Sequence, residues 1–258
     1  MPVGIVLDSF GQPVKDSLQS AARLAFHEVE LPASGEVDPA TLSRTGRRHL
    51  LHYVNGLGLR LSALGGASGG GGFDDGGRIE QRLDQTRRVV EMAAELKVPV
   101  VTTHLGRVDD AAIQRGLVVE AVRELADLAD RTGTFVALET SAADPQALGR
   151  LLREIDAPGV GACYDPAGLL IDGFDPFSGL ESLADRIRSA RIRDAVAGLG
   201  RRPGRETPIG QGQIDFARYL ALLDQAGFRS APFIRRTGSD RPLDEIAEAK
   251  RRIESLIR

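Results

Sequence analysis

One cysteine, Cys163, stands in a chain of 258 residues, so no internal disulfide can form, and its place in an apolar run marks it as a small buried hydrophobe. A reducing, cytoplasmic setting is expected. No stretch approaches the roughly 20 apolar residues of a membrane span. The opening Met1-Pro2-Val3-Gly4-Ile5-Val6-Leu7-Asp8 lacks the basic segment and long apolar core of a secretory signal. Neither a membrane nor export is therefore expected. An excess of one charge is also missing: 33 Lys and Arg against 36 Asp and Glu give a formal net charge of −3. The bases are spread among acids rather than gathered into a stripe, which argues against nucleic acid as a partner.

What the chain does have is alternation. Short β-branched, apolar runs alternate with longer amphipathic stretches, the pattern of a parallel sheet covered by helices. The strand candidates are Val3–Leu7, Phe26–Leu31, Leu57–Ala63, Val98–Thr103, Thr134–Glu139, Val160–Tyr164, Ala190–Arg193 and Ala231–Arg235. Helical periodicity is clearest at Ile79, Leu83, Val90, Ala93 and Leu96, and again at Ile113, Leu117, Ala121, Leu125 and Leu128. Glycines at Asn55-Gly56, Thr132-Gly133 and Ala226-Gly227 punctuate helix ends. Such units over a length near the ~250 residues typical of the fold predict one α/β domain over 1–258, a (β/α)8 TIM barrel.

One tract breaks the rhythm. Gly65 to Gly77 is mostly glycine, follows the third strand and is expected to be a flexible lid or loop. It lacks the Gly-Lys-Ser/Thr ending of a phosphate loop, and Asp74 and Asp75 would repel phosphate. The run Arg201-Arg202-Pro203-Gly204-Arg205 is read either as a solvated loop or as a device steering anions toward the barrel mouth.

In such a barrel the C-terminal ends of the strands surround one pocket, so charges there meet despite wide sequence separation. Glu30, His104, Glu139, Asp165, Arg191, Asp194 and Arg235 all lie at or near expected strand ends. Purely structural pairing would join Arg191 to Asp165 and Arg235 to Glu139. A functional arrangement would leave arginine donors for a carboxylate or phosphate ligand.

The pieces His104-Leu105-Gly106, Leu138-Glu139-Thr140, Tyr164-Asp165-Pro166, Arg193-Asp194-Ala195-Val196 and Pro208-Ile209-Gly210-Gln211-Gly212-Gln213-Ile214-Asp215-Phe216 run through most of the chain. On them the sequence resembles the sugar phosphate isomerases/epimerases of the xylose-isomerase-like barrels. That resemblance implies a helix N-cap at Asp215 and a divalent-cation site whose first two ligands would be Glu139 and Asp165. The third ligand position, a His in the family's His-x-Lys/Arg-Asp pattern, reads Arg191 here, and the fourth, a Glu in Ile-Glu-Arg, reads Arg235. A slip of one residue would put Arg236 there instead. Arginine is permanently protonated and cannot ligate a metal. The four residues are neutral together without an ion, so no metal and no other cofactor is expected at this degenerate site.

The resemblance implies isomerisation or epimerisation of a small anionic sugar or sugar acid. Glu139 is the candidate base, with His104, Asp165, Arg191, Asp194 and Arg235 as substrate-binding residues and an arginine standing in for the metal as electrophile. A second reading is a non-catalytic barrel that binds a ligand or acts as a scaffold. A third, nuclease-like reading meets the scarcity of histidine: of His27, His49, His52 and His104, only His104 falls at a strand end. Association into a homo-oligomer remains open on the sequence.

Overall fold

The apolar runs become strands that close on themselves. The computed structural model describes residues 1–66, 72–73, 75–106, 112–141, 144–200 and 202–257. Its strands are β1 Gly4–Val6, β2 Glu28–Pro32, β3 Arg60–Gly65, β4 Val100–His104, β5 Phe135–Glu139, β6 Val160–Tyr164, β7 Ile187–Ile192, β8 Asp194–Val196, β9 Arg205–Thr207 and β10 Phe233–Ile234. The helices are α1 Val14–Arg23, α2 Arg44–Gly56, α3 Ile79–Leu96, α4 Ala112–Thr132, α5 Pro145–Ile155, α6 Pro166–Ile171, α7 Leu180–Leu183, α8 Phe216–Gln225 and α9 Pro242–Ile257. Eight strands form a closed parallel barrel in the order β1-β10-β7-β6-β5-β4-β3-β2, a (β/α)8 TIM barrel. Residues 67–71 and 74 of the glycine-rich tract, read as a lid, and Arg201 of the arginine run lie outside the described residues.

Local signals explain most boundaries. Asp144, Asp165 and Asp215 cap α5, α6 and α8, each accepting a backbone N–H two or three residues on, and Pro145 and Pro166 occupy the first helical turn, where a missing N–H costs nothing. Gly133 and Gly227 take φ of 70° and 75° after their helices. After α2 that role falls to Gly58 at φ 73°, because Gly56 is still the last helical residue.

Three strands differ most from the expected ones. The third runs Arg60–Gly65 rather than Leu57–Ala63, because Leu57 still caps α2 and Gly58 turns the chain. The seventh begins at Ile187, three residues earlier than its apolar run, because Ser189 and Arg191 are buried polar residues on a strand that hydrophobicity alone cannot find. The eighth barrel strand shrinks to Phe233–Ile234, leaving Arg235 just beyond it. The sequence pattern also gave no sign of the antiparallel hairpin β8–β9, which pairs Asp194 with Thr207 and Val196 with Arg205.

Most of the core lies between barrel and helices. Inside the barrel a separate small apolar layer of Val6, Ala63 and Phe233, with Val100 packed against it, divides the two ends. Gly4 is required beside this layer, since a Cβ there would fall 2.6 Å from the Phe233 ring. No helix among the described residues is long and apolar enough to cross a membrane.

Candidate functional site

Barrel closure brings the inward-facing strand ends together, and the closest meeting is between Arg191 of β7 and Glu30 of β2. Arg191 Nη1 and Nη2 lie 2.5 and 2.8 Å from Glu30 Oε2 and Oε1, with both side chains almost wholly buried. Arg191 Nη2 also donates to Thr102 Oγ1 at 3.1 Å and to Glu139 Oε1 at 3.0 Å, while Thr102 Oγ1 donates to Glu30 Oε1 at 2.8 Å. The guanidinium is thus held as a fixed internal cation beside Glu139.

Glu139, on β5, is shared between two arginines. Burial alone would raise its pKa, but Arg191, Arg235 and the hydrogen bond from Arg191 bring it down to about 2. A carboxylate that holds its charge so firmly is a weak general base. On its other side His104 Nδ1 lies 3.8 Å from Glu139 Oε2 and 3.5 Å from Ser141 Oγ, with the imidazole about one-third exposed at 36%.

Arg235 is different in kind from Arg191. It is one-fifth exposed and sits between two acids, 3.5 Å from Glu139 Oε1 and 3.6 Å from Asp8 Oδ2, too far in both cases for a good hydrogen bond. Its Nε is buried with no hydrogen-bond partner. Asp8 follows β1 in a 3-10 turn and keeps a third of its side chain exposed. Partial desolvation at the mouth pushes its carboxyl upward, opposed by Arg235 and reinforced by Glu30.

Sequence reading missed Asp8 as a site residue, although an acid directly after the first strand carries the same signal used for the others. Thr102 was likewise passed over, and only the cross-barrel geometry shows its role between Glu30 and Arg191.

Two of the expected site residues are placed elsewhere. Asp165 is buried, caps α6 through Gly168 N at 3.0 Å, and pairs with Arg193 rather than with Arg191. Arg193 in turn donates to Glu206 Oε2 at 2.7 Å, and Glu206 accepts from Arg236 Nη1 at 2.9 Å and from Thr237 N at 2.8 Å. This chain of ions fastens the β8–β9 hairpin to the barrel. Asp194 is buried beneath the glycine turn that follows β9: its oxygens accept from the N–H groups of Ala195, Gly210, Gly212 and Ile214 at 2.8–3.1 Å. Its acceptor capacity is spent on the backbone. The expected Arg191–Asp165 pair is therefore corrected to Arg191–Glu30 and Arg193–Asp165, because inward positions on β2 and β7 face one another across the barrel.

A divalent ion does not fit at the position the sequence resemblance suggested. Two permanently charged guanidinium groups flank Glu139 at 3.0 and 3.5 Å, and Asp165 is engaged by Arg193 and its own helix. Among the described residues no three His, Cys, Asp or Glu side chains gather as a metal would need.

A family model described as "Xylose isomerase-like TIM barrel" matches residues 18–257. Similar solved structures include a xylose isomerase domain protein from Planctomyces limnophilus, 22% identical with a TM-score of 0.88 over 99% of this chain and 96% of that one. Another is the D-psicose 3-epimerase of Clostridium cellulolyticum H10 with D-tagatose, 16% identical with a TM-score of 0.79 over 100% and 99% of the two chains. Among curated proteins, one named "Probable endonuclease 4" from Chloroflexus aggregans is 29% identical over 192 residues, 66% of each chain. A protein of the same name from Natronomonas pharaonis is 26% identical over 182 residues, 62% of this chain and 64% of its own. The matched region thus spans just under two thirds of the length of these relatives.

Proposed function

Because the chain belongs to the xylose isomerase-like TIM barrel family, we propose that it binds a small anionic sugar or sugar acid at the C-terminal face of the barrel and moves a proton on it, as an isomerase or epimerase without a metal. Arg235 carries this reading. Its two terminal nitrogens at the mouth make only loose ion pairs, at 3.6 Å to Asp8 and 3.5 Å to Glu139, so a ligand carboxylate or phosphate can take two parallel hydrogen bonds from them.

The roles follow from charge and exposure. Arg191 holds Glu139 ionised and is the fixed positive charge of the site. Arg235 binds the anion or, if the ligand turns, steadies a developing enediolate oxygen. Asp8, whose environment raises its pKa while Glu139 is held near 2, is better matched to accept a carbon-bound proton. His104, at the rim, is placed to return a proton to oxygen.

One observation favours a second reading. The acidity of Glu139 suits a binding site better than a base, so a barrel that holds the same anion without turnover is the alternative. The endonuclease names of the curated relatives suggest a third activity for those proteins. Here His104 is the histidine that reaches the site, and among the described residues the ligand cluster of a multi-metal enzyme is not assembled.

Thermal-shift and calorimetric titration with phosphate, small sugar acids, Mn²⁺ and a DNA duplex test the reading together. Stabilisation by a sugar acid or phosphate, lost in Arg235→Ala, supports it; isomer analysis by NMR then separates turnover from binding. Stoichiometric Mn²⁺ binding, or anion binding indifferent to Arg235, would overturn it.

A further inference from the structure

The opposite end of the barrel, where the strands begin, is open. A cavity of about 690 Å³ enters there, walled by the first residues of β2, β3, β4, β5, β7 and β10 and by the loop 227–231. That volume is within the ~300–1,000 Å³ typical of small-molecule sites. Its inner wall is the apolar layer that includes Ala63 and Phe233, which separates it from the Arg191–Glu30 pair. Catalytic residues of this fold sit at the other face, so nothing in the chemistry above uses this space.

The lining is apolar within and cationic at its edge. Phe135, Phe228, Phe233 and Val100 supply the apolar surface, and Phe135 is exposed to 38%. Among the described residues the one carboxylate on the wall, Glu28, is already satisfied by Arg60 and Ser62. Two further cations, Lys97 and Arg188, have no carboxylate within ion-pair distance among the described residues. Arg188 lies with its guanidinium carbon 4.9 Å from the centre of the Phe135 ring and donates only to the carbonyls of Asp185 and Pro158. A fourth, Arg229, is held by Asp224 outside the cavity. Deeper in the wall, Ser189 is 2% exposed, and beyond the neighbouring Cys163 thiol its hydroxyl has no partner. A buried hydroxyl with only a weakly hydrogen-bonding thiol beside it is uncommon unless something else fills its valence.

We infer that this cavity is a second, non-catalytic binding site for a small organic anion with an apolar body. The carboxylate, sulfonate or phosphate of such a ligand meets Arg188 and Lys97, its hydrophobic part lies on Phe135 and Phe228, and a polar atom at its inner end can reach Ser189. An uncharged apolar ligand would leave the two cations unpaired. A cation would meet them directly.

The anionic aromatic fluorophore 8-anilinonaphthalene-1-sulfonate is a suitable probe. Titrated into the folded chain it should bind saturably at one site. The double substitution Lys97→Gln, exposed, with Arg188→Gln, half-buried, should weaken binding roughly tenfold or more, the effect of losing charge-assisted hydrogen bonds. Ser230→Trp, on the exposed wall loop, should block it, and Arg235→Ala should leave it unchanged. Circular dichroism of each variant checks the fold. Absence of saturable binding, binding indifferent to both cavity variants, or loss with Arg235→Ala would each overturn the inference.

Discussion

Arg191 and Glu30, 161 residues apart, form a two-pronged ion pair inside the barrel, with nitrogen–oxygen distances of 2.5 and 2.8 Å and side chains 1% and 2% exposed. A charge buried so completely is tolerable only while its partner is in place. Arg191→Met should therefore destabilise the fold by about 3–5 kcal/mol, since it strands Glu30 and deprives Glu139 of its nearer cation. The double variant Arg191→Met with Glu30→Met should recover most of that loss. Urea denaturation of the two single variants and the double closes the cycle; simple additivity would mean that the pair is not coupled.

Arg235 should behave in the opposite way. Its ion pairs are loose and partly exposed, so Arg235→Ala should change the stability of the unliganded chain by no more than about 1 kcal/mol. Its affinity for an anionic ligand should fall roughly tenfold to a hundredfold, because charge-assisted hydrogen bonds are lost at the binding site. Calorimetry with the best-stabilising anion reads both quantities apart from each other.

Acid should unfold the protein partly through Glu139. Its folded pKa of about 2 lies below the ordinary 4.5, so its contribution is fully present above pH 4.5 and is lost as the pH falls toward 2. Glu206, also lowered by Arg193, Thr237 and Arg236 against its own burial, works in the same direction. The slope of unfolding free energy against pH between 2 and 4.5 should be smaller in Glu139→Gln than in the parent, as urea titrations at fixed pH would show.

Asp194 is a fastener for the glycine turn. Four backbone N–H groups converge on it, and Asp194→Ala leaves them without an acceptor, at a cost of about 2–4 kcal/mol. Gly212→Ala should be comparably harmful, because a Cβ there would lie 2.1 Å from Asp194 Oδ1. Thermal denaturation of both variants tests this, and a near-neutral Gly212→Ala would mean the turn can relax.

If the bound anion is turned over, Asp8→Asn should lower kcat by roughly 10²–10⁴ with little change in KM, the signature of a lost proton acceptor. Glu139→Gln should instead alter both, since it removes the charge that Arg191 and Arg235 share. Steady-state kinetics on the same substrate distinguishes the two.

The barrel was legible because its signals are local. Short β-branched apolar runs, helical stripes, glycines after helices and an aspartate before Phe216 each act within a few residues, and together they prescribe strand, helix and cap. The strand-end rule also brought Glu139, His104, Arg191 and Arg235 to one face, since closure of a parallel barrel leaves their inward ends nowhere else to go.

Pairing was legible for Arg235, which lies 3.5 Å from Glu139 as expected, but not for Arg191. Sequence order suggested Arg191 with Asp165, two strand ends that adjoin, yet the guanidinium reaches across to Glu30, while Arg193, two residues on, takes Asp165 and carries the chain of charges to Glu206 on a hairpin that has no periodic signal. The sequence by itself determined which residue types stand at the barrel mouth and that two of them, Arg191 and Arg235, are permanently charged. Tertiary structure alone decided which acids Arg191 and Arg193 meet, which arginine is held tightly and which loosely, and that a second cavity opens at the other end. Charge attraction is long-ranged and indifferent to chain order, so partners are chosen by the distances and burial that exist only once the barrel has closed.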